Sequence, residues 1–454
     1  MKEITVGQMQ MAVSGQLITG NVNDTVTGVS TDSRKAGSGD AFFALTGKNY
    51  DAHDFIGDAV KNGAKTVVVS RAAGFHGDLN VIKVDDTQWA LQDLAKWYMA
   101  QKKIKKAGIT GSTGKTTTKD FLYHICCEKY KTGKTEGNLN NEVGLPLSVF
   151  SLGEDIEAAV FEMGTEYLGE INRLADIVRP DIAVITNIGV SHIETFGSRE
   201  NILKGKMEIT DYFGKNNLLV LNNENDLLKK QQPGVYRLAT VGTSSECSFI
   251  LSDIKEHGEG GVEFCLAHMG EKMRFTLPAP GKHNALNASL AIAAAVGMGI
   301  SMEEAKAGLL KAEITGNRLS IKEKGGVKVI DDTYNASPDS ARAAIDVLAG
   351  ARQKRKIAVF GDMLGLGGMS AFYHEQVGEY AAIAGVDLLI TAGGLAKNIS
   401  DKAREIMGGG RVIHYDTRDA LEAEIRNILS PGDVILVKGS RAAAMENIVK
   451  RILE

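Results

Sequence analysis

The chain reads as an α/β protein of three units. A small α/β unit is predicted over 1–103. A central unit with a mostly parallel sheet and an antiparallel β insert follows over 104–315, and a doubly wound, Rossmann-like unit over 316–454. Three observations predict this. The 454 residues exceed what one hydrophobic core usually holds, at roughly 150 residues per domain. The middle segment opens with a strand, a Gly-rich turn and a helix. The last segment alternates short apolar runs with helical stretches, the pattern of a parallel sheet with crossover helices.

In the first unit, Ala64–Ser70 and Asn80–Val84 are short β-rich runs. Thr87–Gln101 places Ala90, Leu94, Trp97 and Tyr98 at helical spacing. The run QKKIKK at 101–106 reads as a solvated linker. The central unit offers strands at Ala158–Glu162, Ile182–Asn187 and Leu218–Asn222, and a helix at His283–Met298. Thr240–Pro280 breaks into short apolar stretches between turn residues, hence the β insert. The last unit offers strands at Val327–Asp331, Lys356–Gly361, Val386–Thr391, Arg411–His414 and Asp433–Lys438. Ser337 fits a helix N-cap and Pro338 the first helical position.

Composition removes several function classes. Lys+Arg 52 against Asp+Glu 56 gives −4, so the chain is not a globally basic nucleic-acid binder. Hydrophobic residues at 43% argue against disorder. Gly 51 against Pro 7 implies tight turns rather than Pro-rich linkers. Cys126, Cys127, Cys247 and Cys265 form no C-x-x-C and read as reduced packing residues, which fits a reducing cytosol. The N-terminus lacks an apolar signal core, and Ala288–Ile300 is too short to span a bilayer. A cytoplasmic protein without a membrane span is expected.

The strongest chemical signal is Gly108-Ile-Thr-Gly111-Ser112-Thr113-Gly114-Lys115-Thr116-Thr117. Glycines let backbone N–H groups converge on phosphate oxygens, and the helix N-terminus favours their charge. Lys115 would reach the β- and γ-phosphates and Thr116 would offer its hydroxyl to Mg²⁺. The strict phosphate-loop spacing wants Gly at 109, where this chain has Ile. Glu162 ends an apolar strand and could hold Mg²⁺ at the sheet's ligand edge, or be a surface residue. His192 follows the next strand, and a structural hydrogen-bonding role is open to it. Lys204-Gly-Lys206 reads as a charge cluster. Thr135–Gly144 suits a ligand-binding loop and an ordinary turn equally. Asn284 and Asn287 share a helix face and could read a base edge, or cap the helix. Asp331–Pro338, Gly361-Asp362-Met363 and Lys438–Arg441 follow strands and should gather at one sheet edge.

Together these segments resemble the Mur ligase family, ATP-dependent amide-forming enzymes of peptidoglycan synthesis. The likeness runs in order along nearly the whole chain: GSTGKTT, the TEGNLNNEVG loop, EMG, Thr186-Asn187-Ile188-Gly189 with Ser191-His192, Lys206, and HNALN. Within the family the chain looks most like members that join D-alanyl-D-alanine to a UDP-linked muramoyl tripeptide. Thr31-Asp32-Ser33-Arg34, Asp332-Thr-Tyr-Asn335-Ala-Ser-Pro and Lys438-Gly-Ser-Arg441 carry that choice. The resemblance implies ATP, two Mg²⁺ sites and an acyl phosphate intermediate. It implies that 1–103 binds the UDP-sugar peptide, 104–315 binds ATP and 316–454 completes the ligase. Gly111, Ser112, Thr113, Gly114, Lys115, Thr116 and Thr117 match the ATP phosphate loop. Thr116 and Glu162 match the first metal site, and His192 and Lys206 the second, with Lys206 carbamylated. Asn284, Asn287, Arg318, Asp332 and Asn335 match nucleotide contacts. Ser33, Arg34, Asn138, Asn141, Lys438 and Arg441 fall where substrate would lie. A monomer is expected, with the last unit closing onto bound ATP as a rigid body. One departure stands out: Gly365 occupies a position where such ligases commonly carry Glu, while His374 keeps its place. A sibling ligase, a folylpolyglutamate synthase and a plain phosphate-loop ATPase are the alternatives.

Overall fold

The computed structural model describes residues 1–47, 50–71, 78–353 and 355–454. Three main sheets follow one another along the chain. The first has five strands, in the spatial order Gln16–Thr19, Asn80–Lys83, Thr66–Val69, Asp40–Phe43 and Gly28–Ser30. All but Gln16–Thr19 run parallel. Helix Thr87–Ala100 closes this unit, and the Asp86 carboxylate caps it by accepting from Gln88 N and Trp89 N. Such a cap satisfies two donors that the first turn leaves orphaned.

The central sheet has nine strands. From one edge they are Thr132–Lys134, Ala158–Glu162, Lys105–Thr110, Ile182–Ile185, Leu218–Asn222, Arg237–Gly242, Phe249–Glu256, Val262–His268 and Glu271–Leu277. Strands Ala158–Glu162, Ile182–Ile185 and Leu218–Asn222 are buried end to end, as a parallel sheet covered on both faces requires. The expected antiparallel insert over 240–280 is present and forms the far edge of this same sheet. Phe249–Glu256 pairs parallel with Arg237–Gly242, and the two antiparallel strands extend the same sheet from there. Short apolar runs could not reveal that, because sheet membership is set by the neighbour each edge finds. The Ala-rich helix Lys282–Gly297 lies across this sheet and against helix Lys115–Cys126.

QKKIKK is not wholly a linker: Lys105 and Lys106 begin the strand Lys105–Thr110, and Lys106 N donates to Asp181 Oδ2 at 2.8 Å. Cys127 is exposed, so only Cys126, Cys247 and Cys265 are packing residues.

The last sheet has the order Ser320–Lys324, Val327–Asp332, Asp433–Lys438, Arg355–Gly361, Leu388–Ala392 and Val412–Tyr415. Its five last-named strands are parallel, and Ser320–Lys324 forms an antiparallel edge that sequence patterning did not predict. Helix Pro338–Ala349 starts as expected, with Ser337 and Ser340 forming a capping box and Pro338 at the first position. Asp332 and Lys438 are register partners, as are Phe360 and Lys438, so the three motifs after these strands do meet at one carboxyl edge.

Candidate active site

The phosphate loop joins strand Lys105–Thr110 to helix Lys115–Cys126. Gly111 has φ +150, and a Cβ there would lie 1.9 Å from Thr186 Oγ1. Gly114 takes φ +77, and a Cβ there would lie 2.7 Å from Asn287 Oδ1. Both positions therefore need glycine, one for close approach and one for a left-handed turn as well. Segment 186–191 holds the loop from outside. Thr113 N donates to Asn187 Oδ1 at 2.8 Å, Asn187 Nδ2 donates to Thr113 Oγ1 at 2.9 Å, and Gly189 N donates to Ser112 Oγ at 2.9 Å. Lys115 Nζ donates to Gly111 O at 2.7 Å. Burial pushes its pKa down, Glu162 opposes that, and Arg318 adds to it.

Glu162 ends the strand next to the loop strand and is only 2% exposed. Thr116 Oγ1 donates to its Oε2 at 2.8 Å and Asn140 Nδ2 to its Oε1 at 2.7 Å. Arg318 Nη2 donates to Thr116 Oγ1 at 2.9 Å, while its guanidinium stacks on the Tyr334 ring at 3.8 Å. Arg318 Nε is buried with no partner among the described residues. Lys119, fully buried, stands behind Glu162 at 4.0 Å and donates to Thr135 O at 2.9 Å. Sequence reasoning missed Asn140, Tyr334 and Lys119. The first two lie in motifs already singled out. Lys119 gives no sequence signal, since a lysine on a helix is ordinarily a solvated one.

His192 takes φ +60 at the start of the short helix Ile193–Phe196. Its side chain is 39% exposed and sits 4.0 Å from Glu166. Burial, and then the Lys115 and Lys206 ammonium groups, push its imidazole pKa down to about 4. Lys206 lies in the last turn of helix Arg199–Met207 and is 3% exposed. Among the described residues its amine has neither hydrogen bond nor ion pair, though the nitrogen is not wholly shut off from solvent. Burial, with Lys115 adding repulsion, pushes its pKa well below the ordinary lysine value.

Asn284 Nδ2 donates to Pro280 O at 2.7 Å, and Asn287 Nδ2 to Asn284 Oδ1 at 3.2 Å. Across from them Lys438 Nζ reaches Asp332 Oδ2 at 2.5 Å and Asn335 O at 2.9 Å. Burial raises the Asp332 pKa and Lys438 works against it. These groups surround a cavity of about 720 Å³ between the central and last sheets. Ser112, Thr113, Gly114, Lys115, Thr116, Thr117, Glu162, His192, Asn284, Asn287, Arg318, Asp332, Asn335 and Lys438 all line it. Gly111 and Lys206 do not line it.

A second cleft of about 640 Å³ lies between the first sheet and segment 138–151. Asn138 and Asn141 line it, together with Thr31, Asp32 and Lys35. Asn141 and Val143 line both cavities, so the two adjoin. Ser33 and Arg34 flank this cleft rather than line it. Arg34 is 86% exposed and pairs with Asp32 at 2.8 Å. Arg441 is exposed and pairs with Glu446 at 3.0 Å, outside both cavities. Gly365 takes φ +74, a conformation that favours glycine, and its carbonyl accepts from Glu194 N at 3.4 Å. The backbone conformation gives a physical reason for glycine there. His374 is fully buried: Met363 N donates to its Nε2 at 3.0 Å, and its Nδ1 lies 2.7 Å from Ser370 O.

Three family models match the chain: the Mur ligase family catalytic domain over 25–98, the Mur ligase middle domain over 109–295, and the Mur ligase glutamate ligase domain over 317–441. The chain belongs to the Mur ligase family. A Mur ligase from Bacillus subtilis (strain 168), UDP-N-acetylmuramoyl-tripeptide–D-alanyl-D-alanine ligase, is 38% identical over 99% of this chain and 98% of its own. A crystal structure of MurF from Acinetobacter baumannii superposes with a TM-score of 0.92 at 30% identity, covering 100% of this chain and 99% of that one. MurF ligase from Thermotoga maritima, solved in complex with ADP, gives a TM-score of 0.83 at 29% identity over 94% of this Mur ligase and 97% of its own chain. No helix among the described residues is long and apolar enough to cross a membrane.

Proposed function

We propose that this Mur ligase joins D-alanyl-D-alanine to UDP-N-acetylmuramoyl-tripeptide at the expense of ATP. The tripeptide's terminal carboxylate attacks the γ-phosphorus, the γ-phosphate bond to ADP breaks, and an acyl phosphate forms. The dipeptide amine then attacks the acyl carbon and loses a proton, and phosphate leaves. One observation carries this reading over that of a plain ATPase. The phosphate-loop cavity and the cleft against the first sheet lie side by side, with Asn141 and Val143 lining both. A second substrate anchored at the first unit can therefore bring its end to the nucleotide.

Bringing two anions together needs positive charge and fixed donors. Lys115, Arg318 and the loop N–H groups supply them beside the γ-phosphate. Asn284, Asn287, Asp332 and Asn335 hold the nucleoside end. Ser33, Arg34, Asn138 and Asn141 serve the UDP-sugar peptide, with Lys438 and Arg441 on the peptide or phosphate side. The acyl phosphate must be shielded from water, or it hydrolyses. Units 1–103, 104–315 and 316–454 correspond to peptide-nucleotide binding, ATP binding and completion of the site, with one main sheet in each. The last unit closes as a rigid body on bound ATP.

Mg²⁺ takes oxygen ligands and keeps several waters. Thr116 and Glu162, in mutual contact at 2.8 Å, fit a first site of that kind. His192 and Lys206 fit a second only if Lys206 presents oxygen. Burial that lowers the pKa of an amine favours its neutral form, and a neutral amine adds CO2 to give a carbamate, releasing one proton. Metal at these sites would neutralise phosphate charge. The four free cysteines and the need for ATP fit the cytoplasm, and the protein acts as a monomer.

Phosphate release with UDP-muramoyl-tripeptide, measured with and without D-alanyl-D-alanine, tests the reading. Release that needs both, with a pentapeptide product by mass, is expected. Release without the dipeptide, or only with a free amino acid, would point to an ATPase or a sibling ligase.

A further inference from the structure

The phosphate-loop helix carries buried charges that the reaction above leaves unused. Lys119 and Asp120 have no exposed side-chain surface. Asp120 Oδ1 faces Lys134 Nζ at 3.0 Å and Lys119 Nζ at 3.5 Å. Its other oxygen, Oδ2, accepts the backbone N–H of Thr315 at 2.8 Å. Thr315 lies in the connection from helix Met302–Leu310 to strand Ser320–Lys324, where the chain passes from the central sheet to the last.

Three residues further on, Arg318 Nη2 meets Thr116 Oγ1 at 2.9 Å. Thr116 and Asp120 are four apart on one helix and so share a face. The connection is therefore tied to that face at two points. Between them Gly316 takes φ +80, and a Cβ there would meet nothing within 4 Å. Left to itself this stretch would be free to swing about the glycine. Two lysines on one side of Asp120 and a backbone N–H on the other make the Thr315 tie a charge-assisted one, of the stronger class.

We propose that Asp120 is a positioning residue for Arg318: by clipping the connection to the phosphate-loop helix at Thr315, it fixes where the guanidinium meets Thr116 and the nucleotide phosphates. This rests on the reading that the phosphates lie at that loop. Lys119 and Lys134 hold Asp120 in place from behind.

Thr315→Pro removes the N–H donor and leaves Asp120, Lys119 and Lys134 untouched. It is combined with Arg318→Ala in a double-mutant cycle on the full chain. The cycle is read as ADP affinity with Mg²⁺ by titration calorimetry and as ligation rate. Thr315→Pro alone should weaken ADP binding about tenfold, the factor for one lost interaction of about 1.4 kcal/mol. In the Arg318→Ala background it should change affinity by less than about twofold. Equal factors in both backgrounds, or no effect of Thr315→Pro alone, would overturn the proposal. Asp120→Asn approaches the same bond from the other side and should follow the same pattern. If that variant unfolds on heating too early to assay, the proline cycle still decides. Wild-type protein that fails to bind ADP would instead overturn the nucleotide reading, which separates the two failures.

Discussion

Replacing Lys206 with methionine should stabilise the protein while abolishing ligation. The side chain is 3% exposed, and among the described residues its amine meets no acceptor. Taking most of an unpaired amine out of water costs up to about 1–3 kcal/mol. Methionine matches the length, is unbranched, and carries no such group. Lys206→Met should therefore gain about 1–3 kcal/mol in CO2-free buffer. For a unit of this size each kcal/mol moves the melting temperature by roughly 2–4 °C, so a rise of several degrees is expected by calorimetry. Ligation should fall to background, because the variant cannot form a carbamate. Wild-type enzyme depleted of CO2 should recover with bicarbonate, and the variant should not. A variant that melts below wild type in CO2-free buffer would refute the claim that burying the amine is costly. Near-normal turnover would refute the carbamate.

Gly111→Ala should cut ATP affinity by at least about tenfold, or about 1.4 kcal/mol, with the circular dichroism spectrum unchanged. The added Cβ would lie 1.9 Å from Thr186 Oγ1 and push the loop away from the segment that holds it. Wild-type affinity would show that the loop is not held there. His283 should contribute an acid-sensitive part of stability. Burial, and then Lys438, push its pKa from 6.5 down to about 4. Below pH 6.5 the unfolded chain binds a proton on this ring that the folded protein takes up only near pH 4. Stability therefore falls as pH drops through that window and levels off beneath it. At 1.36 kcal/mol per unit the loss is up to about 3 kcal/mol. His283→Gln should lose correspondingly less between those pH values in urea titrations, and parallel acid limbs for the two proteins would sink the assignment.

Much of the site was legible in the chain because its pieces are local. Gly111–Thr117 carries its own turn and helix start, while Glu162 ends and His192 follows a strand whose apolar run can be read directly. Ser337 and Pro338 announced a helix start that the structure contains. The edge strand Ser320–Lys324 was not legible: three of its five residues are lysine or glutamate, so it has no apolar run. The antiparallel strands over 249–277 were read as strands but not as members of the central sheet, since that depends on pairing with Arg237–Gly242.

What the sequence by itself determined is the chemistry available at each strand end, because residue type, turn glycines and helix caps act over a few residues. What only the tertiary structure decided is which of those ends meet. Arg318 reaches Thr116 across 202 positions, and Lys438 reaches Asp332 across 106. Lys119 became part of the site through complete burial behind Glu162, and Arg34 and Arg441 turned instead to solvent-side partners. Burial and partnership at such separations follow from how the sheets stack, and no local pattern encodes that.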